Sequence, residues 1–164
     1  MDHDERRERA SELVAALNLP RPLTAELLHR HMEALRHKRI VVRAASARMM
    51  ESGVCGLWLE VEGEGFERIH YAPTSSEVHR QQFINHEYGH MILSEDKELL
   101  TAERVARLAP LIPYDAIVRA LARSNFTDEQ EALAEAIGDR LALTMLEDRA
   151  EVRHGARTGF GRVL

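Results

Sequence analysis

Between residues 55 and 93 the hydrophobic period of the chain changes from two to between three and four, and this change limits the possible folds more than any other feature. In Cys55 to Val61, Leu57, Leu59 and Val61 alternate with Trp58 and Glu60, the pattern of a half-buried strand. Phe66 to Tyr71 reads as a second strand, and Glu62-Gly63-Glu64-Gly65 between them as a hairpin-like turn. Ile40-Val41-Val42 supplies a third strand, so a small antiparallel or mixed three-stranded sheet is expected. Beyond Pro73 the pattern turns helical. Thr74 as N-cap with Glu77 three residues later forms a capping box, and a helix is predicted from there to about Leu93. A sheet followed by a long helix places the chain in the α+β class.

The flanks read as helices. Leu13, Val14 and Leu17 recur at helical spacing from about Glu5 to Leu17, and a second helix is predicted from Thr24 to about His37. Leu99–Leu108 and Tyr114–Ala122 are short helical candidates, and Thr127-Asp128-Glu129-Gln130 opens a helix predicted to reach Leu146. Beyond Asp148 the periodicity is lost, and Gly155, Gly159 and Gly161 suggest a frayed tail. The expected organisation is one domain over residues 1–147, with a helical cap in 1–38, a core in 39–147 and a flexible tail in 148–164. The apolar content of 45% in 164 residues is enough for a packed core without disulfides.

Cys55 is the only cysteine, which excludes an internal disulfide and a cysteine-rich metal site. With no signal-like apolar run at the N-terminus and no stretch of ~20 apolar residues, a cytoplasmic chain without membrane association is expected. The net charge of -5 argues against direct nucleic-acid binding. The one basic run, Arg36-His37-Lys38-Arg39 with Arg43, reads as a helix C-terminal turn whose cations complement the helix dipole.

Within the central helix lies His86-Glu87-Tyr88-Gly89-His90. Residues four apart share one helix face, so both imidazoles can reach a single ion, most naturally Zn2+. Glu87 follows His86 by about 100° of rotation, beside the ion rather than on it, which is where a general base is needed. In a chain with 9 histidines and 20 glutamates, such a pattern arises by chance in roughly one chain in seventeen. Its position behind a cap, on a helix with apolar faces, sharpens it. A catalytic zinc takes three protein ligands and leaves one position open. The third must come from elsewhere. The helix opening at Thr127 offers Glu131 and Glu135 on one face, beside the small-residue strip Ala134, Gly138 and Ala142. Gly138 inside a helix is unfavourable by about 1 kcal/mol relative to Ala, so a close neighbour is expected, and the metal helix is the candidate.

The run Thr74 to His90, together with Glu131-Ala132-Leu133-Ala134-Glu135-Ala136-Ile137-Gly138, resembles the ImmA/IrrE family of zinc metallopeptidases over about Arg39 to Leu146. That resemblance implies a zincin-like core with a twisted sheet packed on the metal helix. It implies zinc on His86 and His90, Glu87 as base and Glu131 as third ligand. The family carries Asn where this chain has Glu135, so Glu135 stands as a partner supporting a histidine or as the alternative ligand. The implied activity is cleavage of a protein partner, such as a helix-turn-helix transcriptional repressor. An oxyanion stabiliser should complete such a site, and His70, Tyr71, His79 and Tyr114 are the candidates. The alternative function is a zincin-fold binding module that sequesters a regulator without cutting it.

Overall fold

The computed structural model describes residues 1–46, 56–61, 65–93, 98–100 and 127–159. The expected helix over Tyr114–Ala122, most of that over Leu99–Leu108, the Glu62–Glu64 part of the turn, Cys55 and Tyr114 lie outside the described residues.

Helix α1 spans His3–Ala16. It starts two residues before the apolar periodicity because Asp2 caps it, accepting the Asp4 and Glu5 amides while the Glu5 carboxylate takes the Asp2 amide. Helix α2 spans Ala25–Arg36, capped by Thr24 and closed by His37 in the left-handed region. Leu28 and Met32 carry its buried face, whereas Leu35 is exposed.

Strands β1 (Arg39–Ala44), β2 (Gly56–Val61), β3 (Phe66–Tyr71) and β4 (Glu98–Leu100) form one sheet in the order β1-β3-β2-β4. β1 runs parallel to β3, β2 antiparallel to β3 and β4 parallel to β2. The expected three strands are present and their sheet is mixed, but a short fourth strand adds to it. That strand occupies residues 99 and 100, where a helix was expected to begin. A three-residue segment has too little periodicity to declare itself, and its pairing with Leu59–Val61 decides its conformation.

Helix α3 spans Glu77–Ile92. Its N-cap is Ser76, whose hydroxyl accepts the His79 amide, rather than the expected Thr74. Thr74 instead takes the Ser76 amide through its own hydroxyl, two residues too early to cap the helix. Helix α4 spans Asp128–Gly159 and opens on the expected capping box, with Thr127 accepting the Gln130 amide and Gln130 accepting that of Thr127.

α4 continues well past Leu146, over most of the segment read as a flexible tail. Residues 151–155 are all exposed. Periodicity disappears there because this part of the helix buries no face, while Glu, Arg and Ala still favour helical backbone. Asp148 anchors it, accepting the Leu23 amide and pairing with Arg21 in the connection between α1 and α2.

The core gathers Val14, Leu28, Met32, Ile40, Trp58, Ile69, Ile84, Tyr88, Met91, Ile137 and Leu141 between the helices and one face of the sheet. Among the described residues no helix is long and apolar enough to cross a membrane. Helices α3 and α4 make the most extensive contact between elements. A Cβ at Gly89 would run into the Ala134 carbonyl oxygen and lie 3.0 Å from its carbonyl carbon. A Cβ at Gly138 would lie 3.1 Å from the His86 amide nitrogen. The helices are therefore antiparallel and touch backbone to backbone at both glycines, and α3 is the close neighbour expected for Gly138. Because the obstacle at Gly89 is main chain, it cannot rotate away. Gly89→Ala should destabilise the protein by about 3 kcal/mol, the upper end for overpacking, as read by urea denaturation.

Candidate metal centre

Three side chains from two helices converge where α3 crosses the first turn of α4. The helical repeat stacks His86 below His90, their rings edge to face at 85° with centroids 4.8 Å apart. Their Nε2 atoms are 3.1 Å from each other. Glu131 reaches over from α4, with Oε2 3.3 Å from His86 Nε2 and Oε1 3.6 Å from His90 Nε2. Donors about 2.05 Å from a tetrahedral ion stand about 3.3 Å apart, so these separations suit one small divalent cation. The arrangement of two imidazoles and a carboxylate could hold a metal.

The site is graded from buried to open. His90 is 2% exposed, His86 30% and Glu131 45%. The neighbouring imidazoles of His86, then of His90, hold the Glu131 carboxyl down at about 2 against partial burial, so it is an anion at neutral pH.

Glu87, next to His86, is 4% exposed. Burial pushes its carboxyl up to about 7, the charge of Glu131 adding to the effect. His86, His90 and a hydrogen bond from the Trp58 amide pull the other way. Its carboxyl thus sits beside the ligand group, dry and within reach of a proton at neutral pH.

Glu135 is exposed and lies apart from this group. It lines a cavity of about 410 Å³ between α1 and α4 with His3, Arg6, Asp139 and Arg140. Of the two glutamates, only Glu131 is brought to the histidines. Zinc affinity should therefore fall by about 100-fold or more in Glu131→Ala and stay unchanged in Glu135→Ala, as read by competition titration with a chromogenic chelator.

The expected oxyanion candidates are dispersed. Tyr71 faces the helices, lining a second cavity with His29, Arg80, Ile84 and Tyr88. His70 alternates with it and points to the opposite face of the sheet. His79 is exposed in the first turn of α3. Tyr114 is outside the described residues. Trp58 packs in the core, its indole N–H donating to Glu67 at 3.0 Å.

Sequence reasoning missed two parts of the site. On the reverse face of α3 the buried Tyr88 hydroxyl pairs with His29 Nδ1 at 2.7 Å, while His29 Nε2 lies 3.6 Å from Glu33. Burial first, then the Glu33 charge, raises the phenol well above the usual tyrosine range, so Tyr88 stays protonated and donates. Beside the Glu87 carboxylate the missed residue is Gly56. A glycine opening a strand that is otherwise mostly apolar was the available signal, since it marks close approach of another group. No protein-family model, curated protein or solved structure matches the chain.

Proposed function

We propose that the chain is a zinc-dependent metallopeptidase of the zincin-like ImmA/IrrE type, acting on a protein partner such as a helix-turn-helix repressor. The observation that carries this reading is the convergence of His86, His90 and Glu131 at metal-ligand separations with the buried carboxyl of Glu87 beside them. An ion-pair cluster meant only for stability has no need of this donor set or of a dehydrated carboxyl next to it.

His86 and His90 would each offer Nε2, and Glu131 a carboxylate oxygen, three ligands that leave a fourth position open. Zinc bound there would supply Lewis acidity and an acidified water for attack on a peptide carbonyl. Glu87 would accept the proton released in the attack and deliver it to the leaving amine. Burial of His90 and Glu87 keeps bulk water from competing with these groups at the site. Gly89 and Gly138 hold the two helices at the spacing that brings Glu131 to the histidines.

The test is elemental analysis of the purified protein, followed by mass spectrometry of a co-incubated candidate repressor. Stoichiometric zinc and a discrete cleavage, both lost with chelator and restored by zinc, are expected. A protein that cannot be loaded with zinc overturns the reading. Zinc binding with sequestration of the repressor but no cleavage would favour a binding module instead.

A further inference from the structure

We infer that Gly56 is a positioning residue for Glu87: by carrying no side chain, the first residue of β2 leaves the gap in which the Glu87 carboxylate lies against the Trp58 amide. The inference rests on the hydrolase reading above, because it concerns where that reading's base points.

A Cβ at Gly56 would collide with Glu87 Oε1 and lie 3.0 Å from Cδ and 3.2 Å from Cγ. The collision is with the reacting group itself, not with neighbouring main chain. Backbone conformation does not explain the glycine. Among the described glycines only Gly65 has a positive φ, and Gly56 sits in regular strand paired with Tyr71 of β3. The three atoms that a Cβ at position 56 would meet first all belong to Glu87.

The surrounding sheet explains why the gap is useful. β4 pairs only with Leu59, Glu60 and Val61, so the Gly56–Trp58 part of β2 has no partner in β4. The Trp58 amide is placed to donate to the Glu87 carboxylate and pulls its pKa down. The sheet thus bears on the position of this carboxylate, and the helix alone does not determine the rotamer. At 4% exposure the side chain has little free volume to swing into. A methyl group at position 56 must therefore push the carboxylate off the amide. A displacement of about 1 Å in a reacting group lowers turnover by about 100-fold.

The experiment compares Gly56→Ala, Glu87→Ala and the double variant with the parent, each as the full chain. In the metal-free state the Trp58 amide proton resonance should move upfield in Gly56→Ala, to the position it takes in Glu87→Ala, since both break the same hydrogen bond. With zinc restored, Gly56→Ala should retain its zinc affinity and KM and lose about 100-fold in kcat. Adding Gly56→Ala to Glu87→Ala should leave the melting temperature unchanged, because the clash no longer has a second party. This last comparison decides the steric claim even if the single variant does not fold.

An unmoved Trp58 resonance together with full turnover in Gly56→Ala overturns the inference and leaves the hydrolase reading intact. A zinc-loaded parent that hydrolyses nothing removes the hydrolase reading and the catalytic half of the inference with it. The Trp58 resonance and the melting comparison still judge the contact in that case.

Discussion

Glu87→Gln, purified and loaded with zinc, is expected to keep its metal and lose about three orders of magnitude in kcat for repressor cleavage. The amide is isosteric with the carboxyl, fits the gap at Gly56 and can still accept the Trp58 N–H, so the helix and the three ligand atoms stay in place. It cannot take up a proton, and general base catalysis contributes about 10²–10⁴-fold. Retention of turnover within a factor of ten, with zinc content intact, would sink Glu87 as the base.

The same substitution has a second consequence in the metal-free protein, and its sign follows from the raised carboxyl. The folded state binds the Glu87 proton up to about pH 7, whereas an unfolded glutamate releases it near 4.5. The stability contributed by the protonated form is therefore complete below pH 4.5 and is lost as pH rises to 7. The loss is on the order of 3 kcal/mol. Glu131, held at about 2, acts in the opposite sense and only below 4.5, so it does not offset the loss in this window. Denaturant titrations of the metal-free protein at pH 5 and pH 8 should show the parent losing stability and Glu87→Gln losing less. Parallel losses in the two proteins would contradict the assignment.

The second large effect lies on the other side of the core. Glu67→Ala should destabilise the protein by about 3–5 kcal/mol. Glu67 is wholly buried on β3 and accepts the Arg36 guanidinium through both Nε and Nη2, with Nη2–Oε1 at 2.9 Å, while Trp58 Nε1 donates to its other oxygen. The Arg36 guanidinium also stacks over the Trp58 ring at 5.1 Å. One carboxylate thus ties α2, β2 and β3 together. Its removal strands a cation that is 18% exposed and a buried indole N–H. The double variant Glu67→Leu with Arg36→Leu should recover most of the loss, since burying neither charge is close to neutral. Urea denaturation at neutral pH measures both. A single variant as stable as the parent would show that the network contributes little.

Arg36 was read in the sequence as one of the solvated cations of a helix end, and a charge run alone could not disclose that a strand carboxylate 31 residues on awaited it. The same holds for the site. His86, Glu87 and His90 were legible as a unit because helical geometry is local: a spacing of four residues fixes one face whatever the helix packs against. The close approach at Gly138 was legible too, since a glycine in a helix interior is unfavourable unless something needs the room.

Residue spacing left both Glu131 and Glu135 open, and only the family resemblance favoured Glu131. Both occupy one side of the same helix, and the antiparallel contact at Gly89 and Gly138 sets which of them overhangs the histidines. Gly56 was invisible for the same reason, its role depending on a side chain 31 residues further on that arrives only when α3 packs on β2. β4 and the last turns of α4 show the two ways a short or solvated segment escapes a periodicity argument. One takes its conformation from a partner strand, and the other is helical with no face to bury. By itself the sequence determined the elements with strong period and the chemistry carried within a single helix, because those follow from local backbone geometry. The tertiary structure decided the third donor, the seat of the Glu87 carboxylate and the buried anchor at Glu67, because each is a contact between elements whose meeting depends on how closely two backbones can approach.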